Sequence, residues 1–188
     1  IKLRFDRNSV SKNDFDIFID KIDEIFSDDI LAYENISVEK ALGSLLAKND
    51  IKVSFVESIT GGLLSSLLVK NPGISKYFIG SDIVYGNQAK SILLNDNDID
   101  FENWEELCVN LTHSSLEKYK TDICLTILGE AGPLSSSKYA VGTIFICISN
   151  GDKTVITDHK MNGNREEILQ RSANKAQWEL IKFIKNLY

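Results

Sequence analysis

Lys52-Val53-Ser54-Phe55-Val56-Glu57-Ser58-Ile59-Thr60-Gly61-Gly62-Leu63-Leu64 reads as a strand that stops at Glu57-Ser58, a turn of small residues, and the start of a helix. The helix is signalled by Leu63, Leu64, Leu67 and Leu68 at helical spacing. A strand that feeds a helix through such a turn gathers unpaired backbone N–H groups at one point. Those donors can hold a phosphate, a carboxylate or a developing oxyanion. Ser58 stands at the strand end, where a nucleophile would be presented. The same residues also suit a plain strand-to-helix turn with Thr60 as the N-cap. Taken alone, this stretch leaves both readings open.

Upstream, Ile1 to Phe5 alternates as a strand. Phe15, Phe18, Ile19, Ile22, Ile25 and Phe26 recur at helical spacing, and Ile30 to Tyr33 reads as a second short strand. This strand–helix–strand piece is too small to bury a core of its own. Ser37 stands as the cap of a helix carrying Val38, Ala41, Leu42, Leu45 and Leu46, which Asn49-Asp50 ends.

Downstream, Asn71-Pro72-Gly73 is a turn. Tyr77–Gly80 and Asp82–Tyr85 read as two extended pieces leading into a short helix that ends near Leu94. Trp104, Leu107, Cys108 and Leu111 mark a helix expected to weaken around Thr112-His113. Ile123 to Leu128 is an uninterrupted apolar run, the mark of a strand buried on both faces. It ends in a second small-residue turn, Gly129-Glu130-Ala131-Gly132-Pro133, followed by a loop at Ser135–Lys138 read as flexible. Val141 to Ile148 is a strand, and Asn150-Gly151 signals a hairpin into Thr154–His159. Asn162-Gly163-Asn164-Arg165 then turns into a last helix with Ile168, Leu169, Ala173, Ala176, Leu180, Ile181 and Ile184 inward.

Helices interleaved with apolar strands, plus one hairpin, give an α/β fold: a three-layer α/β/α sandwich on a mixed, mostly parallel sheet, preceded by a small partial α/β segment. Two domains are expected, residues 1–35 and 36–188. Ligands of such sheets gather outside the C-terminal ends of parallel strands, where both small-residue turns fall.

Composition narrows the function classes. The chain has 188 residues, a net charge of −6 and 43% hydrophobic residues. An acidic chain lacks the basic face that nucleic-acid binding needs, and no apolar run reaches the ~18 residues of a membrane span. Three well-separated cysteines, Cys108, Cys124 and Cys147, form neither a disulfide framework nor a zinc pattern, which suits a reducing cytoplasm. Cys124 and Cys147 lie in strand patterns as small core residues. Only His113 and His159 are present, leaving little material for a His-based triad or a metal cluster. The chain opens at Ile1 rather than Met and is read as a piece of something longer.

Five segments in order resemble the C-terminal domain of CinA, the nicotinamide-nucleotide amidohydrolases. Glu57-Ser58-Ile59-Thr60-Gly61-Gly62 resembles the family's Glu-Ser-Cys-Thr-Gly-Gly, and Tyr85-Gly86-Asn87-Gln88-Ala89-Lys90 its Tyr-Ser-Asn-Glu-Ala-Lys. Gly129-Glu130-Ala131-Gly132-Pro133 resembles Thr-Gly-Ile-Ala-Gly-Pro without its first residue. Val141-Gly142-Thr143 resembles Val-Gly-Thr, and Gly163-Asn164-Arg165-Glu166-Glu167-Ile168 resembles Gly-Asp-Arg-Glu-Glu-Ile. The likeness runs from about Ser37 to the end. The first residues look like the small middle domain that precedes this domain in full-length members, which carry a molybdopterin-binding-like domain further upstream.

The resemblance implies hydrolysis of the carboxamide of nicotinamide mononucleotide to nicotinic acid mononucleotide and ammonia, by a Ser–Lys amidase with no metal and no cofactor. It implies Ser58 as nucleophile, Lys90 as general base and Tyr85 as its partner near the nucleophile. Thr60, Gly61 and Gly62 would supply oxyanion donors, Asn87 and Gly129 would line the substrate site, and Arg165 would bind the substrate phosphate. It further implies a small-molecule nucleotide partner and a homodimer. Serine needs a base to take its proton, and with histidine so scarce lysine is the natural candidate. An ordinary lysine titrates near pH 10.4, so burial or a nearby cation must bring Lys90 down.

The chain departs from the family pattern at Ile59, where the family has Cys, at Leu128, where it has Thr, and at Glu130, where it has an apolar residue. The loop 134–140 lacks the family's glycines. A catalytically degenerate nucleotide-binding or assembly domain is therefore the alternative reading. A redox or metal protein finds almost no support.

Overall fold

The computed structural model describes residues 10–26, 30–31 and 35–187. The strand expected over Ile1–Phe5 lies outside these residues, as do Ala32 and Tyr33 of the second expected strand. The chain divides into two units, Ile1–Ile36 and Ser37–Tyr188. In the first, the phenylalanine and isoleucine spacing gives helix α1 (Lys12–Phe26), none of whose residues is fully buried.

The second unit carries helices α2 (Val38–Asn49), α3 (Leu63–Leu68), α4 (Asn87–Leu94), α5 (Trp104–Tyr119) and α6 (Arg165–Lys185). Its strands are β1 (Val53–Glu57), β2 (Phe78–Ile83), β3 (Ile123–Gly129), β4 (Thr143–Ser149) and β5 (Thr154–Lys160). The sheet order is β2-β1-β3-β4-β5. β1 pairs parallel with β2 and β3, while β3–β4 and β4–β5 are antiparallel, so four of the five strands run the same way.

Strand alternation sets the layers. Val56, Cys124, Leu128, Phe145 and Cys147 face α5, packing on Trp104, Leu107, Cys108 and Leu111, with Ala89, Leu93 and Leu94 of α4 against the same cluster. Helices α2, α3 and α6 pack together over the opposite face, towards which the alternate residues Phe55 and Glu57 project. β1 is buried along its whole length, which explains its near-continuous apolar run.

Three local expectations change. Helix α5 runs unbroken through Thr112-His113. The Thr112 hydroxyl donates to the Cys108 carbonyl at 2.7 Å and lies 2.7 Å from Thr126 Oγ1, whose own hydrogen it can accept, so its polar group is satisfied inside the helix and against the sheet. The two extended pieces at Tyr77–Gly80 and Asp82–Tyr85 are one strand, β2, because its register follows β1 from Val53 to Glu57 with a shift at Val53/Ser54. Ser37 takes the N-cap position of α2 but makes no side-chain cap bond.

Candidate active site

Three chain exits meet at the C-terminal edge of the parallel strands. Ser58 N donates to Ile127 O at 3.0 Å, carrying the β1–β3 ladder one residue beyond β1. Val84 N donates to Glu57 O at 2.8 Å, so β2 stays in step with β1 as it leaves the sheet. Gly86 then becomes the N-cap of α4. On the other side, Ile59 reaches the exit of β3. A Cβ on Gly129 would stand 2.7 Å from Ile59 Cδ1 and 2.8 Å from Ile144 Cγ2, so any side chain there would force its neighbours to shift. The isoleucine that replaces the family cysteine therefore fills the space between the two small-residue turns.

Ser58 is 8% exposed, and its hydroxyl has no hydrogen-bond partner among the described residues. The turn after it distributes its amides unequally. Gly61 N and Leu63 N donate to the carbonyls of Ser58 and Thr60. Gly62 N and Leu64 N donate to Glu57 Oε2 at 3.0 Å, and Ser65 N donates to Glu57 Oε1 at 2.9 Å. The amides of Ile59 and Thr60 make no hydrogen bond among the described residues.

Thr60 does not cap α3. Gly62 holds the N-cap position at φ 101°, a left-handed conformation suited to glycine. The Thr60 hydroxyl instead donates to Glu57 Oε2 at 2.7 Å. Of the oxyanion donors expected at Thr60, Gly61 and Gly62, the Thr60 amide alone is unspent.

Lys90 is the one fully buried residue of α4, at 7% exposure. Burial lowers its pKa from the usual lysine value. Its Nζ donates to Asn87 Oδ1 at 3.2 Å, and no carboxylate among the described residues forms an ion pair with it. Asn87, expected to touch substrate, thus contacts the lysine. Ser58 and Lys90 leave adjacent strand ends but are not hydrogen-bonded to each other.

Tyr85, expected beside the nucleophile and the lysine, is 58% exposed and accepts a 2.6 Å bond from Arg165 Nη2. Arg165 Nη1 donates to the Gly132 carbonyl. One guanidinium therefore ties the second, third and fifth motif segments together. Arg165 is placed for this by α6, whose N-terminus is closed by a capping box between Asn164 and Glu167.

Glu130 and the loop after it also differ from expectation. The Glu130 side chain is 7% exposed, and its Oε2 accepts 2.9 Å bonds from both the amide and the hydroxyl of Ser136. Ser135 Oγ shares its one hydrogen between the carbonyls of Ser137 and Tyr139, and the Tyr139 ring centroid lies 4.2 Å from that of Trp104. The serine run is held in place, and Ser136 and Ser137 supply the donors that satisfy the Glu130 carboxylate. Leu128 lies in the apolar cluster under α5.

Among the described residues no group of three or more His, Cys, Asp or Glu is placed to hold a metal. All three cysteines are free and buried, Cys108 with the two expected, and burial raises their thiol pKa values. No helix among the described residues is long and apolar enough to cross a membrane.

The residue missed in the sequence is Glu57. In the sequence it stands as a strand end and a motif residue with no role of its own, although a carboxylate ending a mainly apolar strand, four residues before Gly61, is itself a signal.

Comparison with known proteins agrees with the motifs. The family model of the CinA C-terminal domain matches residues 35–184. A CinA-like protein of Petrotoga mobilis is 30% identical over 193 residues, covering 100% of this chain and 46% of the relative. One from Pseudothermotoga lettingae is 37% identical over 134 residues, covering 69% of this chain and 33% of the relative. The chain thus spans less than half the length of these relatives. Among solved structures, a CinA superfamily protein from Klebsiella pneumoniae aligns with a TM-score of 0.75 at 17% identity, over 79% of this chain and 96% of that one. One from Enterobacter cloacae aligns with a TM-score of 0.73 at 21% identity, over 82% and 97%. These structures share the α/β fold. With the family model covering the whole second unit apart from its last residues, the chain belongs to the CinA C-terminal domain family.

Proposed function

We propose that residues 36–188 hydrolyse the carboxamide of nicotinamide mononucleotide, with Ser58 as nucleophile and Lys90 as base. The observation that carries this is Lys90, a lysine at the one fully buried position of its helix, with its pKa lowered by burial and an amide as its acceptor. A lysine held this way is neutral at lower pH than an exposed one and so is a better proton acceptor.

In the proposed sequence Ser58 Oγ attacks the carboxamide carbon while its proton passes to Lys90 Nζ. The carbonyl oxygen becomes an oxyanion, which the Ile59 and Thr60 amides are free to receive. Collapse breaks the C–N bond, and Lys90 returns the proton to the leaving ammonia. Water then attacks the acyl-serine, giving its proton to Lys90; collapse of the second oxyanion expels Ser58 Oγ, which takes that proton back from Lys90, and the acid released ionises in solvent to the product carboxylate. Arg165 holds the substrate phosphate by exchanging part of its present bonding to Tyr85 and Gly132 for phosphate oxygens. No step needs a metal or cofactor.

The proposed setting is a cytoplasmic homodimer. Three buried free thiols suit a reducing compartment, and Ile79 and Ile83 of the edge strand β2 are exposed, which supports a dimer that covers them. Ammonia release on incubation with the mononucleotide, read by a coupled ammonia assay, tests the activity; light scattering tests the dimer.

Leu128 favours a second reading. It puts an apolar side chain in the core where the resemblance places a hydroxyl, as in a domain that keeps the scaffold without the reaction. Calorimetric binding of the mononucleotide without ammonia release would select that reading.

A further inference from the structure

Glu57 is 0% exposed and is the last residue of the mainly apolar strand β1. Its carboxylate has no ion-pair partner among the described residues. Burying such a group is costly unless hydrogen bonds replace its water, and here they do. Oε2 accepts from the Thr60 hydroxyl at 2.7 Å and from the amides of Gly62 and Leu64 at 3.0 Å. Oε1 accepts from the Ser65 amide at 2.9 Å, the Ser65 hydroxyl at 2.5 Å and, more distantly, the Ser81 hydroxyl at 3.5 Å. No side chain caps α3 from the N-cap position, so Glu57 does so from the preceding strand.

Two consequences follow. The first-turn donors of α3, which would attract a substrate phosphate or carboxylate, are already filled from within. Alternation along β1 also sends Glu57 to the α3 face and Ser58 to the α5 face, so the carboxylate grips the turn from behind the nucleophile. The Ile59 and Thr60 amides are the ones left unpaired.

We infer that Glu57 is the positioning residue of the nucleophile turn: its carboxylate holds residues 58–62 so that the Ile59 and Thr60 amides remain for the oxyanion, and it closes the α3 N-terminus to the substrate's anionic group. The inference rests on the amidase reading for its kinetic consequence and on the hydrogen bonds alone for its structural one.

The test uses the full chain with Glu57→Gln and Ser65→Ala. Glu57→Gln turns an acceptor oxygen into an NH2 that confronts donors. Ser65→Ala removes one hydroxyl donor, keeps the backbone contacts and preserves a small residue. Both are assayed for ammonia release, and both are followed by the NMR positions of the Ile59 and Thr60 amides.

The expected result is a kcat loss of about a hundredfold or more for Glu57→Gln and about tenfold for Ser65→Ala, with KM within about twofold. Oxyanion donors act in the transition state, and a closed anion site does not contribute to substrate binding. Both amide signals shift in both variants. Folded variants with wild-type kcat would overturn the inference, as would a large rise in KM with kcat unchanged. If Glu57→Gln does not fold, Ser65→Ala decides. If the wild type releases no ammonia, the amidase reading fails by itself, and the amide signals decide the positioning: shifted in the variants they support it, unmoved they refute it.

Discussion

Arg165 Nη2 donates to Tyr85 Oη at 2.6 Å, joining two residues 80 positions apart in the chain. The same guanidinium reaches the Gly132 carbonyl. The site's rim is thus pinned by one cation whose proposed task is to bind phosphate. Arg165→Ala is expected to raise KM about tenfold or more with a smaller fall in kcat, since a phosphate contact is equally strong in ground and transition states. Arg165→Lys should recover little of this, because one ammonium cannot reproduce a two-pronged guanidinium. Steady-state kinetics of ammonia release read both parameters.

The pH profile follows from Lys90. Burial lowers its pKa below 10.5, and the neutral amine is the active form. The rate should therefore rise with pH, with a midpoint below that of a free lysine. Asn87→Asp replaces the amide facing Nζ by a carboxylate, which favours the ammonium. Its midpoint should move to higher pH than that of the wild type, with activity regained in alkali.

Lys90 also makes stability depend on pH. The unfolded chain holds this proton to higher pH than the folded chain, so folding is disfavoured at low pH by the buried ammonium. Stability gained from Lys90 deprotonation appears as pH rises through its folded pKa towards 10.5. Lys90→Met should flatten this part of the profile in denaturant titrations taken across that range.

Gly129 and Ile59 should be energetically coupled. Gly129→Ala places a methyl 2.7 Å from Ile59 Cδ1, 2.8 Å from Ile144 Cγ2 and 3.0 Å from the Thr143 carbonyl. The expected cost is about 1–3 kcal/mol of overpacking. Ile59→Val removes the Cδ1 methyl and alone costs about 0.5–1.5 kcal/mol. The double variant should be less destabilised than the sum, as contacting sites are not additive. Denaturant unfolding of the four proteins measures the difference.

Much of the fold was legible because local signals agree with tertiary position. β1 and β3 are mainly apolar since both their faces are covered, and Asn150-Gly151 marks the β4–β5 hairpin. The motif segments could be placed at one sheet edge because strand ends and turns are local features. Their bonding could not. Glu57 draws donors from Thr60, Ser65 and Ser81, a set that exists only once β1, α3 and β2 are assembled. The bond between Tyr85 and Arg165 needs α6 folded across the sheet edge. Thr112 looked like a helix breaker because its partner, Thr126, lies on a different element. The serine run after Pro133 looked mobile because the buried Glu130 carboxylate that holds Ser136 has no local signature.

The central claim is that Ser58 and Lys90 act as one unit on an amide. Its most direct measurement is ammonia release from nicotinamide mononucleotide by the wild type, Ser58→Ala, Lys90→Ala and the double variant, with folding checked by circular dichroism. Each single variant should lose about a thousandfold or more, and the double should be scarcely worse than either, as expected of residues serving one step. Wild-type turnover that survives Ser58→Ala, or losses that multiply in the double variant, would contradict the account.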